Sequence, residues 1–367
     1  MRITIIGPAY PFRGGIAHHV YYLKTELAGR KHDVQVINYK NLYPTSLFPG
    51  TTTIDSSSLA LDPLGLAIID PTNPLTWLKA LKTVRAFLPD LVVIQWWNPF
   101  FAPAIGTLGY LLKGAGLKSV VECHNVFPHE RSFLDFPLVD FAFAPFRMFI
   151  THSTENRDLL VETFSGKSAT VVPLPPPAFL SKDLPAPRTG RRMLFFGMVR
   201  EYKGLEVLLA AMPKALERVE CKLLIAGEFY VPVENYINII KQRGLEEFVE
   251  IQNRYVPNEE IDHLLDNADV LVMPYLSATQ SGIVQMARQR ALPVIATRTG
   301  GLAEAVVENE TGLLCDPGDP KSLAQAIVSY FKGDMGPALS SRMIQQIDSK
   351  SASQLCLLIE RLAGEHQ

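Results

Sequence analysis

Short apolar runs recur along the first half of the chain, at 2–6, 33–38, 91–95, 119–122, 148–151 and 169–172. They are rich in β-branched residues and nearly free of polar ones. Strands buried on both faces of a parallel sheet look like this, whereas half-exposed strands alternate. Amphipathic stretches such as 17–28 and 77–87 lie between them. The rhythm predicts right-handed βαβ units and a doubly wound sheet. One segment interrupts it. Residues 41–73 are crowded with Pro, Gly, Thr and Ser, including Phe48-Pro49-Gly50 and Asp55-Ser56-Ser57-Ser58. That is long for a connection inside a compact domain and marks the segment as functional or mobile.

Pro173, Pro175, Pro176, Pro177, Pro185 and Pro187, followed by Gly190, then forbid any regular element. The alternation restarts after them. Strands are predicted at 193–196, 222–226, 249–252, 270–273 and 294–296, and helices at 204–216, 233–243, 258–265, 282–290 and 320–331. Beyond Gly333 the chain reads as polar until the amphipathic stretch 353–362. The expected organisation is a first domain at 1–178, a linker at 179–190, a second domain at 191–345, and a C-terminal helix at 346–367 packing back on the first domain. No internal repeat is visible; the halves share only their rhythm.

Composition narrows the function classes. The chain has 367 residues, 47% hydrophobic and 20% charged, enough for two sizeable cores. Lys and Arg number 35 against 37 Asp and Glu, a net charge of -2, which gives no electrostatic case for nucleic acid. Cys123, Cys221, Cys315 and Cys356 lack zinc-ligand or redox spacing and read as buried thiols of a reducing compartment. The N-terminal apolar run is too short for a signal peptide, and no run is long enough to span a membrane. The expected location is the cytoplasm, with peripheral contact at the inner face of the membrane as a secondary expectation. Its candidate is the Phe-rich stretch 133–150, read first as a buried helix and strand.

Three strand-to-helix turns in the second half carry candidate chemistry, because ligands of open parallel sheets bind beyond the carboxyl ends of the strands. The first holds Gly197, Arg200, Lys203 and Gly204: two glycines bracket two cations, a set suited to a diphosphate or simply to a solvated loop. The second runs from Pro274 through Thr279, Gln280, Ser281 and Gly282, with Ser281 as a predicted N-cap and the first helical amides facing an anion. The third holds Gly300-Gly301, which either admits a ligand or ends a strand.

These turns occur in one order with Pro293-Val294-Ile295-Ala296, Thr311-Gly312-Leu313-Leu314 and Asp316-Pro317-Gly318-Asp319. That order resembles retaining, family 4-type (group 1) glycosyltransferases with the GT-B fold. In the first half, Gly7 to Ala17 resembles that family's first glycine-rich loop, and Glu122-Cys123-His124-Asn125 its strand-end histidine segment. Leu47-Phe48-Pro49-Gly50 and Gln95-Trp96-Trp97-Asn98-Pro99-Phe100 resemble signatures of a subgroup.

The resemblance implies two Rossmann-like domains facing each other across a cleft. It implies a hexosyltransferase-type reaction from a nucleotide-sugar donor to a glycan or lipid-linked acceptor, with no metal and no cofactor. Catalytic roles fall to His124, near the donor sugar, and to Arg200 and Lys203, which would neutralise the leaving diphosphate. Arg200 stands two positions beyond the family's arginine, a position held here by Met198, and is taken as its substitute. Substrate binding falls to Gly14, Gly15, Gly197, Thr279, Gln280, Ser281 and Gly282. His18, His19 and His129 receive no role.

One departure stands out. Aligned on Pro293, the family's two glutamates fall on Ala278 and Met286, neither of which accepts a hydrogen bond. Either Gln280, Ser281 and Gln285 substitute for them, or the chain binds without catalysis. A nucleotide-sugar epimerase on the same fold is a further alternative. A dinucleotide-dependent oxidoreductase is disfavoured, because neither half carries G-x-G-x-x-G between a strand and a helix.

Overall fold

The computed structural model describes residues 1–44, 52–57, 65–181, 183, 188, 190–346 and 350–365; the chain divides into two compact units. The first holds the described chain up to Ala178, apart from Ser57, together with the last helix, and the second holds Ser57 and runs from Phe179 through the helix before it.

In the first unit the order is β1 (Arg2–Ile6), α1 (Gly15–Gly29), β2 (Asp33–Tyr39), β3 (Leu66–Ile69), α2 (Pro74–Phe87), β4 (Leu91–Trp96), α3 (Ala102–Gly114), β5 (Ser119–Cys123), α4 (Asp135–Phe143), β6 (Met148–Thr151), α5 (Thr154–Thr163) and β7 (Ser168–Val171). Every strand pairs in parallel, in the order β3-β2-β1-β4-β5-β6-β7. Side chains alternate between two cores. Val92, Ile94 and Trp96 of β4 enter one, and Leu91 and Val93 the other. Burial on both faces is why these strands lack polar alternation.

The second unit repeats the plan with β8 (Arg192–Phe196), α6 (Leu205–Leu216), β9 (Lys222–Ala226), α7 (Val233–Gln242), β10 (Val249–Gln252), α8 (Asn258–Asp266), β11 (Val270–Met273), α9 (Gly282–Gln289), β12 (Val294–Thr297), α10 (Gly300–Ala305), β13 (Gly312–Cys315), α11 (Pro320–Lys332) and α12 (Met335–Gln346). Its sheet is parallel, in the order β10-β9-β8-β11-β12-β13. In both sheets the order reverses direction beside the first strand of the unit, and this switch point opens a crevice at the strands' carboxyl ends. The chain ends with α13 (Lys350–Gly364). Its Leu355, Cys356, Leu358 and Ile359 join Val20, Leu23 and Leu27 of α1 in the first unit's core, and its Glu360 pairs with Arg30 and His32.

Three expectations are corrected. The segment 41–73 is not structureless throughout: β3 lies inside it, where four apolar residues suffice to pair with β2. The stretch beyond Gly333 is not merely polar, because α12 buries Leu339 and Met343, four residues apart on one face. The third turn opens α10, and β13 follows it; neither was read from the sequence. Among the described residues no helix is long and apolar enough to cross a membrane.

Candidate active site

In the second unit, the turns after β8 and β11 pack against each other beside the switch point. Gly204 adopts φ 66 and caps α6; a side chain there would collide with the Pro274 carbonyl. Leu276 N donates to Tyr202 O at 2.7 Å, tying the turns together. A Cβ on Gly197 would lie 2.8 Å from Ile283 Cδ1 and 3.1 Å from Lys203 Nζ, so the start of α9, the glycine and the ammonium share one place.

Lys203 is only 5% exposed, and its Nζ lies 5.4 Å from the centre of the Tyr275 ring. It has no hydrogen bond or carboxylate partner for its ammonium among the described residues. Burial and the neighbouring Arg200 push its pKa down to about 7. The Arg200 guanidinium stacks 4.9 Å from the centre of Tyr230. Met198, where the family places its arginine, is 44% exposed.

The second turn departs from one expectation. Ser281 occupies the N-cap position of α9 with extended backbone, yet its hydroxyl does not cap. It hydrogen-bonds the Tyr275 phenol instead. The start of α9 thus has no side-chain cap among the described residues, although Val284 N donates to the Ser281 carbonyl at 3.2 Å. Thr279, Gln280, Ser281 and Gly282 are half-buried along this turn. Gly301 stands where a Cβ would strike the Thr279 carbonyl, so this glycine of the third turn makes room for the second turn. Ala278 and Met286 are buried in an apolar cluster.

In the first unit, Gly14 caps α1 with φ 112, and Gly15 opens the helix exposed. His124 follows β5, 5% exposed, and belongs to a cluster the sequence reading missed. Glu122, fully buried, lies 2.7 Å from His19 Nε2 and 3.2 Å from His152 Nε2 through Oε1. Its Oε2 accepts from Gln95 Nε2 at 2.7 Å, and Gln95 Oε1 lies 2.7 Å from His124 Nε2. Burial alone would raise the Glu122 pKa; charge and hydrogen bonds from His19 and His152 hold it well below the usual carboxylate range. Burial, then His152 and His19, hold the His124 pKa well below its ordinary value. Two polar residues inside apolar runs, Gln95 in LVVIQW and Glu122 in SVVEC, were the available signal.

Trp96 is core, and Trp97 packs on Phe101 and donates to the Tyr43 hydroxyl at 3.2 Å. The Leu47-Phe48-Pro49-Gly50 signature lies outside the described residues.

Two successive parallel-sheet α/β units are the architecture of the GT-B fold. Residues 13–177 match the model of Glycosyltransferase Family 4, and residues 190–332 that of Glycosyl transferases group 1. The chain belongs to this family. The D-inositol 3-phosphate glycosyltransferase of Corynebacterium diphtheriae is 32% identical over 148 residues; the match covers 39% of this chain and only 34% of that protein. The chain thus spans about a third of the curated relatives it first matches. The glycogen synthase of Mycobacterium tuberculosis is 26% identical across 94% of this chain and 90% of its own length. Among solved structures, Anabaena HepE in complex with UDP-glucose superposes with a TM-score of 0.72 at 14% identity, covering 98% of this chain and 99% of that one.

Proposed function

We propose that the chain transfers a hexose from a nucleotide-sugar donor to an acceptor hydroxyl, with retention at the anomeric carbon and without metal or cofactor. Glycan or lipid-linked acceptors of cell-surface polysaccharide or glycolipid synthesis are the assigned class. One observation carries this reading: Lys203 is a buried ammonium with no counterion among the described residues, beside Arg200 and the uncapped start of α9. A diphosphate supplies the missing charge. As the bond between the sugar and the distal phosphate breaks, negative charge grows on the leaving diphosphate, and these groups stabilise it most at that moment. HepE, solved with UDP-glucose, favours a donor of that chemistry. His124 is assigned to the donor sugar, and Gly14 and Gly15 to the loop beside the donor diphosphate and acceptor.

A second reading has its own observation. Ala278 and Met286 place apolar, buried groups where the family has carboxylates, which favours a binder without turnover. Thermal shift with nucleoside diphosphates and nucleotide-sugars, followed by transfer assays, separates the two, because binding raises the melting temperature whether or not turnover follows. Lys203→Ala and Arg200→Ala should each lower diphosphate affinity by roughly 10–100-fold, as expected for losing a charge-assisted hydrogen bond. Unchanged affinity and transfer in both variants overturn the assignment.

A further inference from the structure

One side of the first unit carries apolar surface that its core does not use. Helices α2, α3 and α4 pack as neighbours on the same side of the sheet. Trp77 and Val84 of α2, Ile105 and Leu108 of α3, and Val139 and Phe143 of α4 enter one core. The opposite face of each helix looks outward, where a globular protein ordinarily places polar residues.

On α4 that division is reversed. Its acid Asp135 is buried and accepts from Ser132 N at 2.7 Å. Phe136, Pro137, Asp140 and Phe141 share an exposed face of the helix, and Phe133 and Leu134 stand exposed just before it. Phe133 is 88% exposed. The stretch 133–150, expected as a buried helix and strand, thus buries Phe143, Phe146 and Phe149 and leaves Phe133, Phe136 and Phe141 outside. The outer rings are held in place. Phe141 lies over Gly106 of α3, where a Cβ would come within 2.5 Å of it, and Phe136 stacks on the buried Phe164.

Helix α2 adds leucines and cations. Leu75 is 74% exposed; Leu78 and Leu88 are also exposed, with Lys79, Lys82 and Arg85 among them. Leu78, Lys82, Arg85 and Leu88 line a groove together with Leu117. Lys167 donates to the Phe143 and Phe146 carbonyls at 2.9 and 2.7 Å, at the end of α4, where the charges of Asp140, Lys113 and Arg147 act on it.

The sign of this face differs from that of the whole chain, whose net charge is -2. The acids of α2, α3 and α4 are the buried Asp135 and Asp140, against Lys79, Lys82, Arg85 and Lys113. The next helix, α5, returns to acids with Glu155, Asp158 and Glu162 and marks the edge of the basic face. Contiguous apolar surface beside cations suits a particular occupant. Nucleic acid would leave the phenylalanines in water. An anionic bilayer takes both parts: phosphate headgroups meet the cations, and the apolar side chains enter the acyl boundary. Among the described residues no helix can cross a membrane, so the contact is one of surface.

We propose that the outer face of α2, α3 and α4 docks on an anionic lipid bilayer, with Leu75, Phe133 and Phe136 inserted and Lys79, Lys82, Arg85 and Lys113 on the headgroups. The docking goes beyond the transfer reaction proposed above and stands whether or not the chain turns a donor over. Both α2 and α4 start beyond the carboxyl ends of parallel strands, so Leu75 and Phe133 lie at the end of the unit where ligands of such sheets bind.

Cosedimentation of the full chain with phosphatidylcholine vesicles, with and without phosphatidylglycerol, tests the docking. Binding should be at least about tenfold tighter to the anionic vesicles. The pair Leu75→Ser and Phe133→Ser replaces highly exposed side chains, so the fold should survive, as thermal unfolding checks. It should weaken binding to anionic vesicles by at least about tenfold, through lost apolar burial. The pair Lys82→Glu and Arg85→Glu should weaken it as much and abolish the preference for phosphatidylglycerol. Absence of wild-type binding to anionic vesicles overturns the proposal, as does equal binding to both vesicles. Wild-type affinity in the folded Leu75→Ser, Phe133→Ser variant also overturns it. A dimer in sedimentation velocity that the same two substitutions dissolve assigns the face to a second copy of this chain and overturns it as well.

Discussion

Each unit of this chain buries an ionisable group near the switch point of its sheet, and the two are treated in opposite ways. Glu122 is fully buried and meets His19, His152 and Gln95, all from its own unit. Lys203 is almost as deeply buried, and the charge that acts on it, that of Arg200, has the same sign. Burying an ion without a partner costs several kcal/mol, and a lysine answers by giving up its proton near neutral pH. A charge balanced by its own chain serves the scaffold. A charge left unbalanced serves whatever ligand brings the counterion.

The largest expected effect tests the balanced side. Glu122→Ala leaves His19 without its hydrogen-bond partner and His152 without the carboxylate 3.2 Å from it, and should destabilise the first unit by about 3–5 kcal/mol, as expected for breaking a buried pair from one side. Urea denaturation measures it. A loss under about 1 kcal/mol would mean that Glu122 is not the keystone of the cluster. The pH dependence follows from the direction of the shift. A carboxylate whose folded pKa lies below its unfolded one contributes stability above the unfolded value and loses it as pH falls through the folded value. Wild type should therefore lose stability on acidification more steeply than Glu122→Ala does.

Lys203 titrates in the opposite sense. Its pKa falls from an ordinary 10.5 to about 7 on folding. Between these values the unfolded chain holds the proton and the folded chain does not, so stability rises with pH across this window, by at most about 1.4 kcal/mol per pH unit. Below pH 7 the burial cost is fully present. Lys203→Met should flatten that rise and leave the protein as stable or more stable at neutral pH. Nucleoside diphosphate affinity of the wild type should fall as pH climbs above 7, because the neutral amine of Lys203 must take up a proton to meet the phosphate. Affinity independent of pH between 7 and 9 would break the contrast between the two groups.

The sheets were readable because their strands are buried on both faces, which writes them as short continuous apolar runs bounded by turn residues. Lys203 and Arg200 were readable because they stand between glycines after such a run. The first unit's cluster was not. Glu122 and Gln95 interrupt apolar strands, but His19 and His152 come from α1 and the end of β6, and only the parallel sheet brings those positions to one carboxylate. Met198 and Ser281 mark a different limit. Type and position alone do not say where a side chain points, and Ser281 at a cap position turns to Tyr275 instead.

That serine offers the smallest and sharpest test. If the second unit leaves its donors open for a ligand, the Ser281 hydroxyl should be coupled to the Tyr275 phenol and not to the amides of α9. A double-mutant cycle of Ser281→Ala and Tyr275→Phe, read by urea denaturation, should then give a coupling of about 0.5–1 kcal/mol, the size of one neutral hydrogen bond. A capping serine would instead lose about 1 kcal/mol on its own, and by the same amount in the Tyr275→Phe background. Zero coupling would place the hydroxyl on the helix amides, give them a partner within the chain, and weaken the distinction between a unit that balances its polar groups internally and one that holds them ready for a diphosphate.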